Sequence, residues 1–148
     1  MVLGVAVVWL ASQSNASQTD AYIGGGSMAN TSSDPLGAMA NAIATMEGFF
    51  VSGSLPQRTN NPGDIGTFGG KVRSYPDSSA GFSALQNYIG THAAAHPDWN
   101  FYDFFHYYLT GDPNGTPGPG QNPNGYAEYV AGALGVSAAT PISQVLGG

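Results

Sequence analysis

The stretch "ATMEGFF", residues 44–50, contains Glu47, one of only two glutamates in the chain. Ile43, Ala40 and Leu36 precede it by four, seven and eleven residues. At helical spacing all of these lie on one face, so Glu47 continues an apolar stripe. A carboxylate drawn into such a stripe loses hydration, and burial favours its protonated form nearer neutral pH. Cleavage of a glycosidic bond requires an acid of this kind, able to hand a proton to the bridging oxygen. Gly48, directly after it, would end the helix and leave room for an extended ligand. The competing expectation is that Glu47 sits at the edge of the stripe, exposed or paired with Arg58.

A two-carboxylate mechanism needs a partner at a defined separation. Asp64 and Asp77 are the candidate second carboxylates, because they flank a small hairpin expected near Glu47. Glu128, between Tyr126 and Tyr129 on a late helix, reads as solvent-facing. Tyr75 follows the hairpin and is expected to touch a ligand through its ring. Phe101, Phe104, Phe105 and Tyr108 repeat at helical spacing and read as core. His92 and His96 are four apart, but Pro97 follows directly, and no acidic third ligand stands at a recognisable spacing. No metal site is expected from them. The stretch "DPNGTPGPGQNP" opens like a calcium loop, yet Pro117 and Pro123 stand where such a loop needs Gly and Glu. No glycine loop for phosphates and no serine-hydrolase order is present. No cofactor is expected.

The elements that must position these residues are mostly helical. Charged residues are only 8% of the 148, and the three basic ones, Arg58, Lys71 and Arg73, face nine acidic ones. This balance argues against nucleic acid as a partner. With no cysteine, disulfides and thiolate metal sites are excluded. Residues 1–11 form an apolar run too short to span a bilayer and without the basic residue that opens a secretory signal. Three readings stand for it: a membrane-inserting anchor, an unusual signal, or a segment buried in an assembly. Residues 12–33 read as a Ser/Asn/Gly-rich tether, and residues 34–148 as one domain.

Asp34-Pro35 opens the first helix as cap and first turn. "DIGTF" and "KVRSY" around Gly69-Gly70 predict a two-stranded hairpin. A second helix is expected after Asp77-Ser78, with Phe82, Leu85 and Ile89 inward. A third runs from Asn100 to Gly111, followed by a Gly/Pro-rich loop. Two more are expected, "GYAEYVAGALG" and a short one entered at Thr140-Pro141. The fold class is mainly α, a small helical domain with a β-hairpin beside the helix that carries Glu47.

A helix ending in "EGF", then "RTNNPGDIGTF", "SYPDSSAGFSAL" and a late "NPNGYAEYVAGALGV" together resemble the lysozyme-like superfamily. The likeness covers roughly residues 36–146. It is nearest to phage virion-associated muramidases and lytic transglycosylases, which cut the glycan strands of peptidoglycan. The resemblance implies a lysozyme-like α+β fold, Glu47 as general acid and base, and Asn60, Asn61, Pro62 and Gly63 as the loop shaping the cleft. Tyr126 or Tyr129 corresponds to the tyrosine near the glutamate. We assign Tyr126 a catalytic place and Asn60, Asn61, Tyr75 and Tyr129 a substrate-binding one. Asp64 departs from the pattern, since relatives more often carry Asn there. The implied setting is a virion or an extracytoplasmic, membrane-tethered site, with membrane or virion proteins met through residues 1–11. The alternative is a structural or glycan-binding protein with this fold and no activity.

Overall fold

The computed structural model describes residues 34–66 and 71–147, and the expectations for residues 1–33 lie outside them. The fold is mainly helical; the described residues form six helices in the order α1 (Pro35–Met46), α2 (Leu55–Arg58), α3 (Ser78–Ala95), α4 (Phe101–Thr110), α5 (Pro123–Ala133) and α6 (Ile142–Leu146). Among the described residues, no helix is long and apolar enough to cross a membrane.

Caps written in the sequence set most boundaries. The Asp34 carboxylate accepts from the Gly37 amide at 2.8 Å, with Pro35 in the first turn. Asp77 does the same for Ala80 at 2.8 Å and starts α3. Asn100 and Asp103 form a reciprocal capping box on α4, and Gly111 ends that helix in a left-handed conformation. α5 begins two residues before the expected glycine, because Asn122 caps it and Pro123 supplies the first helical position. α2, a single turn capped by Ser54, was not expected among so many turn formers.

The stripe of α1 packs as its spacing requires. Met39, Ala40 and Ile43 are fully buried with Leu85 and Ile89 of α3, Phe101, Phe104 and Phe105 of α4, and Ala127 and Val130 of α5. Burying each large apolar side chain of this set contributes roughly 1.5–3 kcal/mol. α1 contacts α3, α5 and α6, while α4 lies along α5. The starts of α4 and α6 are tied by an isolated bridge, Asn100 to Pro141, flanked by bonds from Phe101 to Ala138 (3.1 Å) and from Ile142 to Trp99 (3.0 Å).

Among the described residues, the expected hairpin shows one antiparallel bridge, Gly66 to Val72, with the Arg73 amide donating to the Ile65 carbonyl at 3.4 Å; residues 67–70 lie outside the described ones. Asn61 takes over what a strand would do. Its side chain donates to the Ile65 carbonyl (2.9 Å) and the Arg73 carbonyl (3.2 Å), and accepts from the Ile65 amide (3.0 Å). A buried amide side chain thus satisfies backbone groups that a regular ladder would otherwise have paired.

Candidate active site

Glu47 is the C-cap of α1, its amide donating to Ile43 at 2.9 Å. Gly48 then reverses the chain at φ +75, and Phe49 packs edge-on against Phe82 of α3 with ring centroids 5.4 Å apart. That contact fixes the chain just beyond the carboxyl. Beyond it, Phe50 (59% exposed), Val51 and Leu55 form an apolar lip open to solvent.

Two helices and one turn deliver the surroundings of Glu47. The hydroxyls of Tyr126 of α5 and Tyr108 of α4 lie close enough to act on its side chain, and Asp64 of the "NNPGD" turn sets a second negative charge near it. Burial is the main influence on Glu47 and the Asp64 charge the next, while the two tyrosine hydroxyls act in the opposite sense. The outcome is a pKa pushed from 4.5 to about 8. The position at the carbonyl end of α1, the negative pole of the helix, also disfavours a carboxylate there. Arg58, exposed at the end of α2, is not among the groups that set this value. Burial also raises the Asp64 carboxyl. Both phenols are pushed further up, first by burial and then by the Glu47 charge, so they stay neutral donors around physiological pH.

The turn that carries Asp64 is seated by close backbone approach. Asn60 (φ 52) and Asp64 (φ 44) adopt left-handed conformations, which Asn and Asp tolerate better than most residues. Pro62 and Gly63 are buried beneath the turn. Gly81 of α3 lies against it so tightly that a Cβ there would come within 1.8 Å of the Asn60 carbonyl oxygen. The Asn60 amide donates to the Tyr75 carbonyl at 3.1 Å, and the Thr59 carbonyl accepts from the Tyr75 amide at 2.9 Å.

The structure therefore separates the sequence candidates. Glu47, Asp64 and Tyr126 come together. Asp77 is taken up as the cap of α3 and is not among the groups acting on Glu47. Asn61 is fully buried with its amide engaged inside the protein, and Asn60 ties the turn to Tyr75. Both asparagines shape the turn. Tyr75 is half-buried and its hydroxyl, sealed from solvent, has no hydrogen-bond partner among the described residues. Tyr129 is 46% exposed, on the outer face of α5 with Glu128. Two open depressions between α1 and α3, lined by residues such as Asn41, Gln86 and Gly90, do not include Glu47.

Sequence reasoning missed Tyr108 as a neighbour of Glu47, because its spacing placed it with the core phenylalanines. Its ring does pack there, 5.8 Å from Phe105 and 6.0 Å from Phe104. The signal was the hydroxyl at the end of an otherwise apolar row. The histidines lie elsewhere. His92 and His96 sit in an aromatic stack with Trp99, and His106 donates through Nε2 to the Gly115 carbonyl at 2.6 Å. Among the described residues, no group of three or more His, Asp or Glu side chains could hold a metal ion.

As assembled, the site can keep one carboxyl protonated at neutral pH, offer its proton at a partly open surface, and stabilise the resulting carboxylate with phenolic donors. Set against known proteins, the chain matches no family model, no curated protein and no solved structure.

Proposed function

We propose that the chain is a peptidoglycan-cleaving muramidase of lytic transglycosylase type, with Glu47 as its acid and base. One observation carries the reading: the only glutamate at the domain's interior stripe has a pKa pushed to about 8, with two tyrosines and an aspartate converging on it. At pH 7 such a carboxyl is mostly protonated. It gives its proton to the glycosidic oxygen as the C1–O bond breaks, and the leaving sugar departs with a free 4-hydroxyl. The substrate's N-acetyl group stabilises the positive centre at C1. Its 6-hydroxyl then attacks C1 and returns a proton to the Glu47 carboxylate, which yields an anhydro sugar and restores the acid.

Tyr126 donates to the transient carboxylate. Asp64 keeps Glu47 protonated beforehand, and in a hydrolytic variant of the reaction it would steer water to C1. The exposed Phe50 ring, three residues after Glu47, offers a flat apolar face for a sugar. Attachment to a virion or membrane through residues 1–11 would raise the effective concentration at the wall.

A second reading, a structural or glycan-binding protein of this fold, is favoured by two open depressions that lie away from Glu47. Digestion of purified peptidoglycan by the full chain, compared with Glu47→Gln and followed by mass analysis, separates the two. Anhydro-muropeptides from the wild type alone support the transglycosylase. Reducing ends support a hydrolase that uses Asp64. No cleavage by a folded wild-type chain supports the structural reading.

A further inference from the structure

Tyr108 stands between two acceptors. Its hydroxyl donates to the Gly63 carbonyl and also meets the Glu47 side chain. Gly63 permits the approach: a Cβ at that position would lie 2.7 Å from Leu85 Cδ1 and 3.2 Å from the Tyr108 oxygen. The phenol itself is held by ring contacts to Tyr88 (5.8 Å), Phe104 and Phe105. It can rotate its hydroxyl hydrogen but cannot withdraw from either acceptor without disturbing the core.

A phenol has one proton to give and lone pairs with which to accept. When Glu47 is protonated, the carboxyl can donate to the Tyr108 oxygen while Tyr108 donates to Gly63. When Glu47 is ionised, it has nothing to donate and becomes the stronger acceptor, because hydrogen bonds to a charged acceptor are roughly twice as strong as neutral ones. The phenolic proton then turns toward Glu47, and the Gly63 carbonyl loses its donor. Gly63 immediately precedes Asp64.

We propose that Tyr108 is a positioning residue that couples the protonation state of Glu47 to the turn bearing Asp64, through the Gly63 carbonyl. Its role in a reaction rests on the muramidase reading, while the coupling itself does not. In that reaction, proton donation by Glu47 would draw the Tyr108 proton onto the new carboxylate and loosen the Asp64 turn as the leaving sugar departs. The groups facing Tyr108 are Glu47 at the end of α1, Tyr126 of α5, Tyr88 of α3 and Asp64 of the turn itself. Asp64, Tyr126 and Tyr108 face Glu47. Of these, Asp64 also titrates on the acid side, so the test must tell it from Glu47.

The experiment is carbon NMR of the full chain, without substrate, from pH 4 to 10. It reads the Glu47 carboxyl, the Gly63 carbonyl and the Tyr108 ring carbon that bears oxygen. In the wild type, the Gly63 carbonyl should step at the midpoint of Glu47. The step should vanish in Glu47→Gln, where Asp64 still titrates. It should vanish in Tyr108→Phe as well, although Glu47 still titrates there, at a displaced midpoint. A Gly63 step that persists in either variant, or is absent from the wild type, overturns the proposal. If Tyr108→Phe does not fold, the Tyr108 ring carbon of the wild type decides: it must move at the Glu47 midpoint, and silence there overturns the coupling. Because no substrate is present, a chain that cleaves nothing can still pass this test, and an active one can fail it.

Discussion

Replacing Glu47 with Gln should stabilise the domain, and by an amount that depends on pH. The folded chain holds Glu47 at about 8, against 4.5 for the same group on an open chain. Between those limits the folded state binds more protons than the unfolded one, so stability falls as pH rises. The loss begins near 4.5, runs through the window up to about 8, and is complete above it. The window spans 3.5 pH units, each worth about 1.36 kcal/mol, which makes the full cost roughly 5 kcal/mol. At pH 7, 2.5 of those units have been crossed, for about 3 kcal/mol. That is a large share of the roughly 5–15 kcal/mol by which a domain is ordinarily stable.

Gln keeps the shape and cannot ionise, and the other acids are common to both proteins. Urea unfolding of wild type and Glu47→Gln from pH 4.5 to 9 reads the difference directly. With slopes of roughly 1–3 kcal/mol per molar urea, the midpoints at pH 7 should differ by about 1–3 M in favour of Gln. They should draw together near pH 4.5. A difference that stays constant across this range would refute the account of a desolvated carboxyl.

On the proposed muramidase reading, two substitutions should move the pH profile of cleavage in opposite directions. Activity that depends on protonated Glu47 falls as pH rises through its pKa of about 8. Asp64→Asn removes a like charge and should shift that falling limb to lower pH. Tyr126→Phe removes a hydrogen bond that favours the carboxylate and should shift it higher, with a lower maximal rate. Rates measured across pH on labelled peptidoglycan check both. Gly81→Ala places a methyl 1.8 Å from the Asn60 carbonyl oxygen, a clash with backbone that no rotamer relieves. We expect at least about 1–3 kcal/mol of destabilisation, read by thermal unfolding, together with a lower Glu47 midpoint as the Asp64 charge moves away.

Where local chemistry fixes structure, it was legible. Asp34-Pro35, Asp77, Asn100 with Gly111, and Pro141 each mark a helix end through groups within a few residues, and the helices begin or end there. The Glu47 stripe was legible for the same reason, since its period needs no tertiary information. The hairpin was less so. Its sequence carries strand signals, yet Asn61 reaches in from 12 residues before Arg73 and takes the backbone groups that pairing would have used. The start of α5 was obscured by the density of Gly and Pro around Asn122-Pro123, where the same two residues serve as cap and first turn. The meeting of Tyr108, Tyr126 and Asp64 at Glu47 depends on helix packing that no short window contains. The likeness in sequence offered Tyr126 and Tyr129 as alternatives, and burial separated them.

Glu47 is made at position 47, but groups that act on its carboxyl come later, Tyr108 in α4 and Tyr126 in α5, the latter 79 residues further along. A nascent chain that has produced only α1 carries an ordinary, ionised glutamate. The burial that changes it comes with the packed fold, and the packing of α5 on α1 is a long loop closure and hence a late event. At neutral pH the completed fold therefore draws a proton from the surrounding water, and a partly made chain does not.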